Sequence, residues 1–74
     1  MNKKREEILI HSDYITLGQL LKFASIIEQG GEAKGYLASH RVLVNGEEDS
    51  RRGRKLYPGD DVLFDDGRTV SIIK

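Results

Sequence analysis

The chain contains no cysteine. That absence removes both a disulfide framework and a cysteine-based zinc site as sources of stability. Long hydrophobic runs are missing too. The longest apolar stretches are a few residues, far short of the ~20 needed to cross a bilayer as a helix. Residues 1–7 lack the apolar segment of a secretory signal, so a cytoplasmic location is expected. Neither sign of charge is in excess, with 12 Lys and Arg against 12 Asp and Glu. A polycation that coats nucleic acid through net charge alone is therefore excluded. Catalytic equipment is equally sparse. The two histidines, His11 and His40, fall in different elements, which makes a poor metal set, and no serine sits in a nucleophile-elbow motif. The expectation is a protein that is not an enzyme and has no metal or cofactor.

What remains is a lean globular composition: 38% hydrophobic and 32% charged over 74 residues. This length suits one small domain, expected to span residues 1–74 with a frayed basic end at 1–5. A domain of this size buries only about 60% of the surface its unfolded chain exposes, so its stability is expected to be modest.

The apolar residues fall into patterns. Ile8-Leu9-Ile10 predicts a strand or an extended arm, broken by Ser12-Asp13. Thr16 and Gln19 have capping-box spacing. Leu17, Leu20, Leu21, Ala24 and Ile27 then recur at the spacing of one helix face, which predicts a helix running to about residue 28, where Gly30-Gly31 stops it. A second short helix follows, with Glu32 in its first turn and Ala33, Tyr36 and Leu37 on its apolar face. His40 after it is read as a residue that tolerates the left-handed conformation common at helix ends. From there the period changes to two. Val42-Leu43-Val44 leads into Asn45-Gly46, and Val62-Leu63-Phe64 and Val70–Ile73 flank Asp66-Gly67. Both dipeptides are strong tight-turn signals, and Pro58-Gly59 marks a third turn. The fold class expected is α+β, with two helices packed on a small antiparallel sheet with hairpins.

The charge is polarised along this pattern. Residues 34–55 carry six cations (Lys34, Arg41, Arg51, Arg52, Arg54 and Lys55) against three acids, while the segments on either side are net negative. Four of those cations fall within the five residues Arg51-Arg52-Gly53-Arg54-Lys55. A solvated loop is the bland interpretation of such a run. Against it, the run lies between strands, its self-repulsion costs folding energy unless an anion relieves it, and arginine's planar fork suits phosphates and guanine edges. Glu47, Glu48 and Asp49 are placed to neutralise part of it. Gly30–Gly35 has the look of a phosphate loop, but Lys34 precedes Gly35 and no Ser or Thr follows, so it is not a Walker sequence. A helix stop followed by a helix start explains it. A lesser alternative leaves the amides at the start of the second helix, with Lys34 one turn in, to hold a backbone phosphate. Of the aromatics, Tyr36 and Phe64 read as core, and no stacking platform is expected.

The stretch Gly31–Gly46 (GEAKGYLASHRVLVNG) resembles the core motif of the S-four RNA-binding domain, and Pro58-Gly59-Asp60-Asp61-Val62 resembles its later turn and strand. Order and spacing match over roughly residues 14–65. Asp49–Leu56 resembles the subgroup of stand-alone bacterial proteins called YaaA or YbcJ. The resemblance implies the αL-type arrangement of two helices on a small sheet. It also implies binding to structured RNA, commonly ribosomal, with the ribosomal subunit as a partner and a part in ribosome assembly or maturation. Carried over by position, the RNA-binding residues are Lys34 in the second helix, Arg41 at the start of the strand, Asn45 in the turn, and Arg51, Arg52, Arg54 and Lys55 in the loop. Lys22 joins them as a cation of the first helix. The sequence departs from the family pattern at Gln29-Gly30, where Ser-Arg is common, at His40 in place of glycine, and at Thr16 in place of arginine. The basic 51–55 stretch is expected to supply the missing cations. The alternative is a protein-interaction adaptor whose basic loop meets an acidic partner, with a nucleotide-dependent enzyme built on Gly30-Gly31 a distant third.

Overall fold

The computed structural model describes residues 5–74. Ten short elements follow in chain order: β1 (Arg5–Leu9), β2 (Ile15–Thr16), α1 (Leu17–Phe23), a 3₁₀ turn (Gly30–Glu32), α2 (Ala33–Ser39), β3 (Val42–Val44), β4 (Glu47–Glu48), β5 (Lys55–Leu56), β6 (Asp61–Phe64) and β7 (Thr69–Ile73). Most of the basic end expected at residues 1–5 lies outside the described residues. Arg5 is not frayed but opens β1.

Five strands form one sheet in the order β1-β7-β6-β3-β4, and β2 pairs with β5 in a second, two-stranded sheet. The α+β class stands, but the main sheet is mixed rather than purely antiparallel, because β1 runs parallel to β7 in the register Ile8↔Ile72. A parallel neighbour needs a long crossover, and here nearly the whole chain lies between the two strands. Inward residues alternate along the sheet: Val42 and Val44, Val62 and Phe64, Val70 and Ile72 are all buried. Leu43 and Leu63 point the other way and are partly exposed. This is the one-sided pattern of a sheet with a single covered face. Leu17, Leu20 and Leu21 of α1, Ala33 and Leu37 of α2, and Leu56 of β5 complete the same core. Each fully buried leucine contributes about 1.5–3 kcal/mol through loss of water contact.

Local chemistry sets the element ends. Thr16 and Gln19 make the expected capping box: the Gln19 amide donates to the Thr16 hydroxyl (3.2 Å) and the Thr16 amide to Gln19 Oε1 (2.9 Å). The helix that follows is shorter than expected, ending at Phe23 instead of near residue 28. Ser25 takes φ +59, and the Ser25 and Ile26 amides donate to the Lys22 and Leu21 carbonyls at 3.0 and 2.9 Å. These are the paired bonds of a Schellman stop, made here without glycine. Ala24 and Ile27 keep their buried places although the helix has ended. His40 is not left-handed but extended, at φ −127. Its ring stacks on Tyr36 with centroids 4.2 Å apart, and its Nδ1 lies 3.0 Å from Asp65 Oδ2. Asn45-Gly46 closes the two-residue β3–β4 hairpin with both φ values positive (51 and 87). The polar stretch after it is not all loop, since Glu47-Glu48 form β4 and Lys55 belongs to β5.

One cation supports the fold rather than a surface. Arg68 donates to both carboxylate oxygens of Glu6 (2.9 and 2.8 Å) and to the Ala24 carbonyl (2.9 Å). It thereby ties β1, the β6–β7 turn and the end of α1 together from a largely shielded position. Arg68→Met is expected to destabilise the protein by about 1–3 kcal/mol through loss of these charge-assisted bonds, measured by urea denaturation. A midpoint equal to wild type would refute that role.

Candidate nucleic-acid interface

The basic segment is seated on the start of α1. A helix begins with four amides that have no partner inside it. Here the Leu17 amide donates to the Arg54 carbonyl (2.8 Å) and the Gly18 amide to the Arg52 carbonyl (2.9 Å). Gly18 allows this approach because it lacks a side chain: a Cβ there would stand 3.3 Å from the Arg52 oxygen. The segment also hydrogen-bonds itself, Arg54 amide to Arg51 carbonyl (3.1 Å).

Asp49 fixes two of its cations. Arg51 donates through Nε (3.1 Å) and Nη2 (2.8 Å), one to each carboxylate oxygen, and Arg54 Nη1 donates to Oδ2 (2.8 Å). The Arg51 amide adds a fourth bond to Oδ1 (2.9 Å). The Asp49 side chain is only 7% exposed, against 70% for Arg51 and 28% for Arg54. The bonds from Arg51, foremost, hold the Asp49 carboxyl well below the usual carboxylate range. The Arg51 amide and Arg54 add to this, and partial burial opposes it. The same pair raises the Arg51 guanidinium above its ordinary value. Thus one of the three expected acids neutralises part of the cluster. Glu48 instead lies 3.5 Å from Arg41.

The cations group into two hollows. Arg52, whose side chain has no polar partner among the described residues, lines one of about 300 Å³ together with Lys22, Gly18, Gln19, Gly30 and Ala33. Lys34 follows Ala33 and is exposed. Arg51, Arg54 and Lys55 line the other, of about 500 Å³, with Tyr57 and Asp60. Arg41 is not brought to either. It lies across the sheet beside Leu43, Leu63 and Asp65. Two of the amides ahead of α2 are used locally, Glu32 by the Gln29 carbonyl and Ala33 by the Gly30 carbonyl, as a helix stop followed by a helix start requires.

Asn45 is committed within the protein. Its Nδ2 donates to Asp60 Oδ1 (3.0 Å), its Oδ1 accepts from the Asp61 amide (3.0 Å), and its own amide donates to the Asp61 carbonyl (2.8 Å). It joins the β3–β4 turn to the Pro58-Gly59 turn. Two of the aromatics not read as core lie side by side at the surface. Tyr14 and Tyr57 are 38% and 48% exposed, with ring centroids 5.7 Å apart, and Lys55 Nζ lies 5.0 Å from the Tyr14 ring centre. The β2–β5 pairing Ile15↔Leu56 sets the two tyrosines opposite each other. Forty-three positions separate them in sequence, and no local signal reports the pairing.

Asn45→Ala is expected to cost about 1–3 kcal/mol by loss of both side-chain bonds and by strain at the positive φ, read from thermal or urea unfolding. An unchanged stability would show that the two turns hold together without it. For Asp49, the unfolded carboxyl titrates near ~3.9 and the folded one lower. Its contribution is therefore complete above that range and disappears as pH falls through the folded value. Asp49→Asn is expected to lower stability at neutral pH by about 1–3 kcal/mol and to flatten the loss of stability below about pH 4. Parallel stability–pH curves for variant and wild type would contradict the ion cluster.

Comparison with known proteins places these features in context. The model of the S4 domain family matches residues 8–73. A probable ribosome maturation protein, RlbA, of Bacillus subtilis (strain 168) is 60% identical over 53 residues, covering 72% of this chain and 75% of that protein. With two helices on a mixed sheet and a family match that runs through nearly every element, the chain belongs to the S4 domain family.

Proposed function

We propose that this chain is a non-enzymatic RNA-binding protein, a single S4 domain spanning residues 1–74 that grips structured ribosomal RNA and acts in the assembly or maturation of the ribosomal subunit. Membership of the S4 family and the similarity to a probable ribosome maturation protein support this reading. The observation that carries it is the seating of residues 51–54 on the first turn of α1. That junction anchors the segment whose Arg52 joins Lys22 in one hollow and whose Arg51, Arg54 and Lys55 line another, with Asp49 neutralising only part of their charge. Folded RNA is recognised mainly through its shape and phosphates, because its deep major groove excludes side chains. A fixed row of forked donors suits that task. Lys34, exposed beside Ala33, would extend the contact at its margin, Arg41 would add a separate contact away from it, and Asn45 would support the turn from within. Such a role places the protein in the cytoplasm. Among the described residues, no helix is long and apolar enough to cross a membrane.

If these cations displace counterions from about five phosphates, the log of the affinity for ribosomal RNA should fall against the log of salt concentration with a slope of roughly −3 to −5. The double variant Arg51→Ala, Arg52→Ala should weaken filter binding and flatten the slope by about 1–2, with an unchanged circular dichroism spectrum. Affinity and slope equal to wild type would remove the loop from the RNA site. Retention of acidic ribosomal proteins, but no RNA, by the immobilised chain would favour the adaptor alternative.

A further inference from the structure

From the tyrosine pair beside the arginine hollow we infer a second element of recognition: Tyr57, backed by Tyr14, is a stacking shelf for one unpaired base of the bound RNA. The inference rests on the RNA-binding reading above and adds to it the kind of RNA preferred, a helix interrupted by an unpaired nucleotide.

Tyr57 is about half exposed, and unlike the more exposed Leu9 and Phe23 it sits beside a second exposed aromatic, Tyr14, and among the cations of the 51–55 segment. Among the described residues neither Tyr57 nor Tyr14 uses its hydroxyl in a hydrogen bond, so no internal polar contact explains their placement. The Tyr57 backbone is anchored on both sides. Its amide donates to Asp60 Oδ2 (2.8 Å), its carbonyl accepts from the Asp60 amide (2.9 Å), and Tyr14 packs against its ring. Tyr57 lines the same hollow as Arg51, Arg54 and Lys55. The one carboxylate there, Asp60, is engaged by Asn45 and by the Tyr57 amide, so it opposes an incoming phosphate less than a bare acid would. A base lying on Tyr57 would put its flanking phosphates next to guanidinium groups. Paired bases in a helix are already stacked on each other and cannot reach such a ring, whereas a bulged base presents a free π-face at little cost. Lys55, set over Tyr14, spans from the aromatic pair to the cationic row.

The test uses the full chain and two fluorescein-labelled RNA hairpins of identical stem, one with a single bulged adenine and one fully paired, titrated by fluorescence anisotropy at one salt concentration. Wild type should prefer the bulged hairpin. Tyr57→Leu, which keeps apolar bulk but has no π-face, should lose roughly 5- to 150-fold on the bulged hairpin and change little on the paired one. Its salt slope should stay that of wild type, because no cation is removed. Tyr57→Phe should retain the preference, which also excludes a role confined to the hydroxyl. Equal binding of both hairpins by wild type, or a Tyr57→Leu loss of the same size on both, would overturn the shelf and leave the RNA-binding reading standing. Failure of wild type to bind either hairpin or ribosomal RNA would overturn both.

Discussion

Two backbone hydrogen bonds, from the Leu17 and Gly18 amides to the Arg54 and Arg52 carbonyls, are the constraint on which the surface of this protein depends. They solve two problems together. The start of α1 needs acceptors for its unpaired amides, and a segment of four cations in five residues needs something to resist its own repulsion. The Thr16 hydroxyl covers a third amide, so the positive end of the helix is closed by its own chain. Had Gly18 carried a side chain, the Arg52 carbonyl could not have come so near without displacement.

Asp49 completes the junction from beneath. A largely buried carboxylate that accepts four bonds from Arg51 and Arg54 sets the direction of both guanidinium groups while cancelling only one of two charges. The result is order without neutrality. Arg68 and Glu6 use the same chemistry to the opposite end: a forked, partly shielded pair adds cohesion between β1, the β6–β7 turn and α1. Net charge cannot separate these cases. A chain of zero overall charge keeps its 51–55 cations only partly neutralised, because Asp49 meets just two of them, Asp60 in the same hollow is engaged by Asn45 and the Tyr57 amide, and Asp65 and Glu48 pair with His40 and Arg41 instead.

Features set by near neighbours were legible before the fold was known. The Thr16–Gln19 capping box, the Asn45-Gly46 hairpin and the Asp66-Gly67 turn each depend on contacts a few residues apart, and the alternation in β3, β6 and β7 follows from strand geometry alone. The end of α1 was misplaced because Ala24 and Ile27 continue the helical spacing past the point where Ser25 turns left-handed. Both stay in the core by a route that periodicity does not distinguish from helix. The turn at Asn45-Gly46 was legible, but the three bonds of Asn45 to Asp60 and Asp61 connect turns some fifteen residues apart, so its work within the fold could not be read from the motif.

The order of residues alone settled the fold class, the turns, and the concentration of cations at 51–55, since propensity, spacing and charge are carried by short segments. Folding decided the rest: that β1 lies parallel to β7, that Arg52 joins Lys22 while Arg41 stands apart, that Asp49 restrains two arginines, and that Tyr14 meets Tyr57. Each of these pairings brings together groups from separate elements or depends on the exact path of a loop, and their distances are fixed only when the shared core of Leu17, Leu20, Leu56 and Val62 packs in one way.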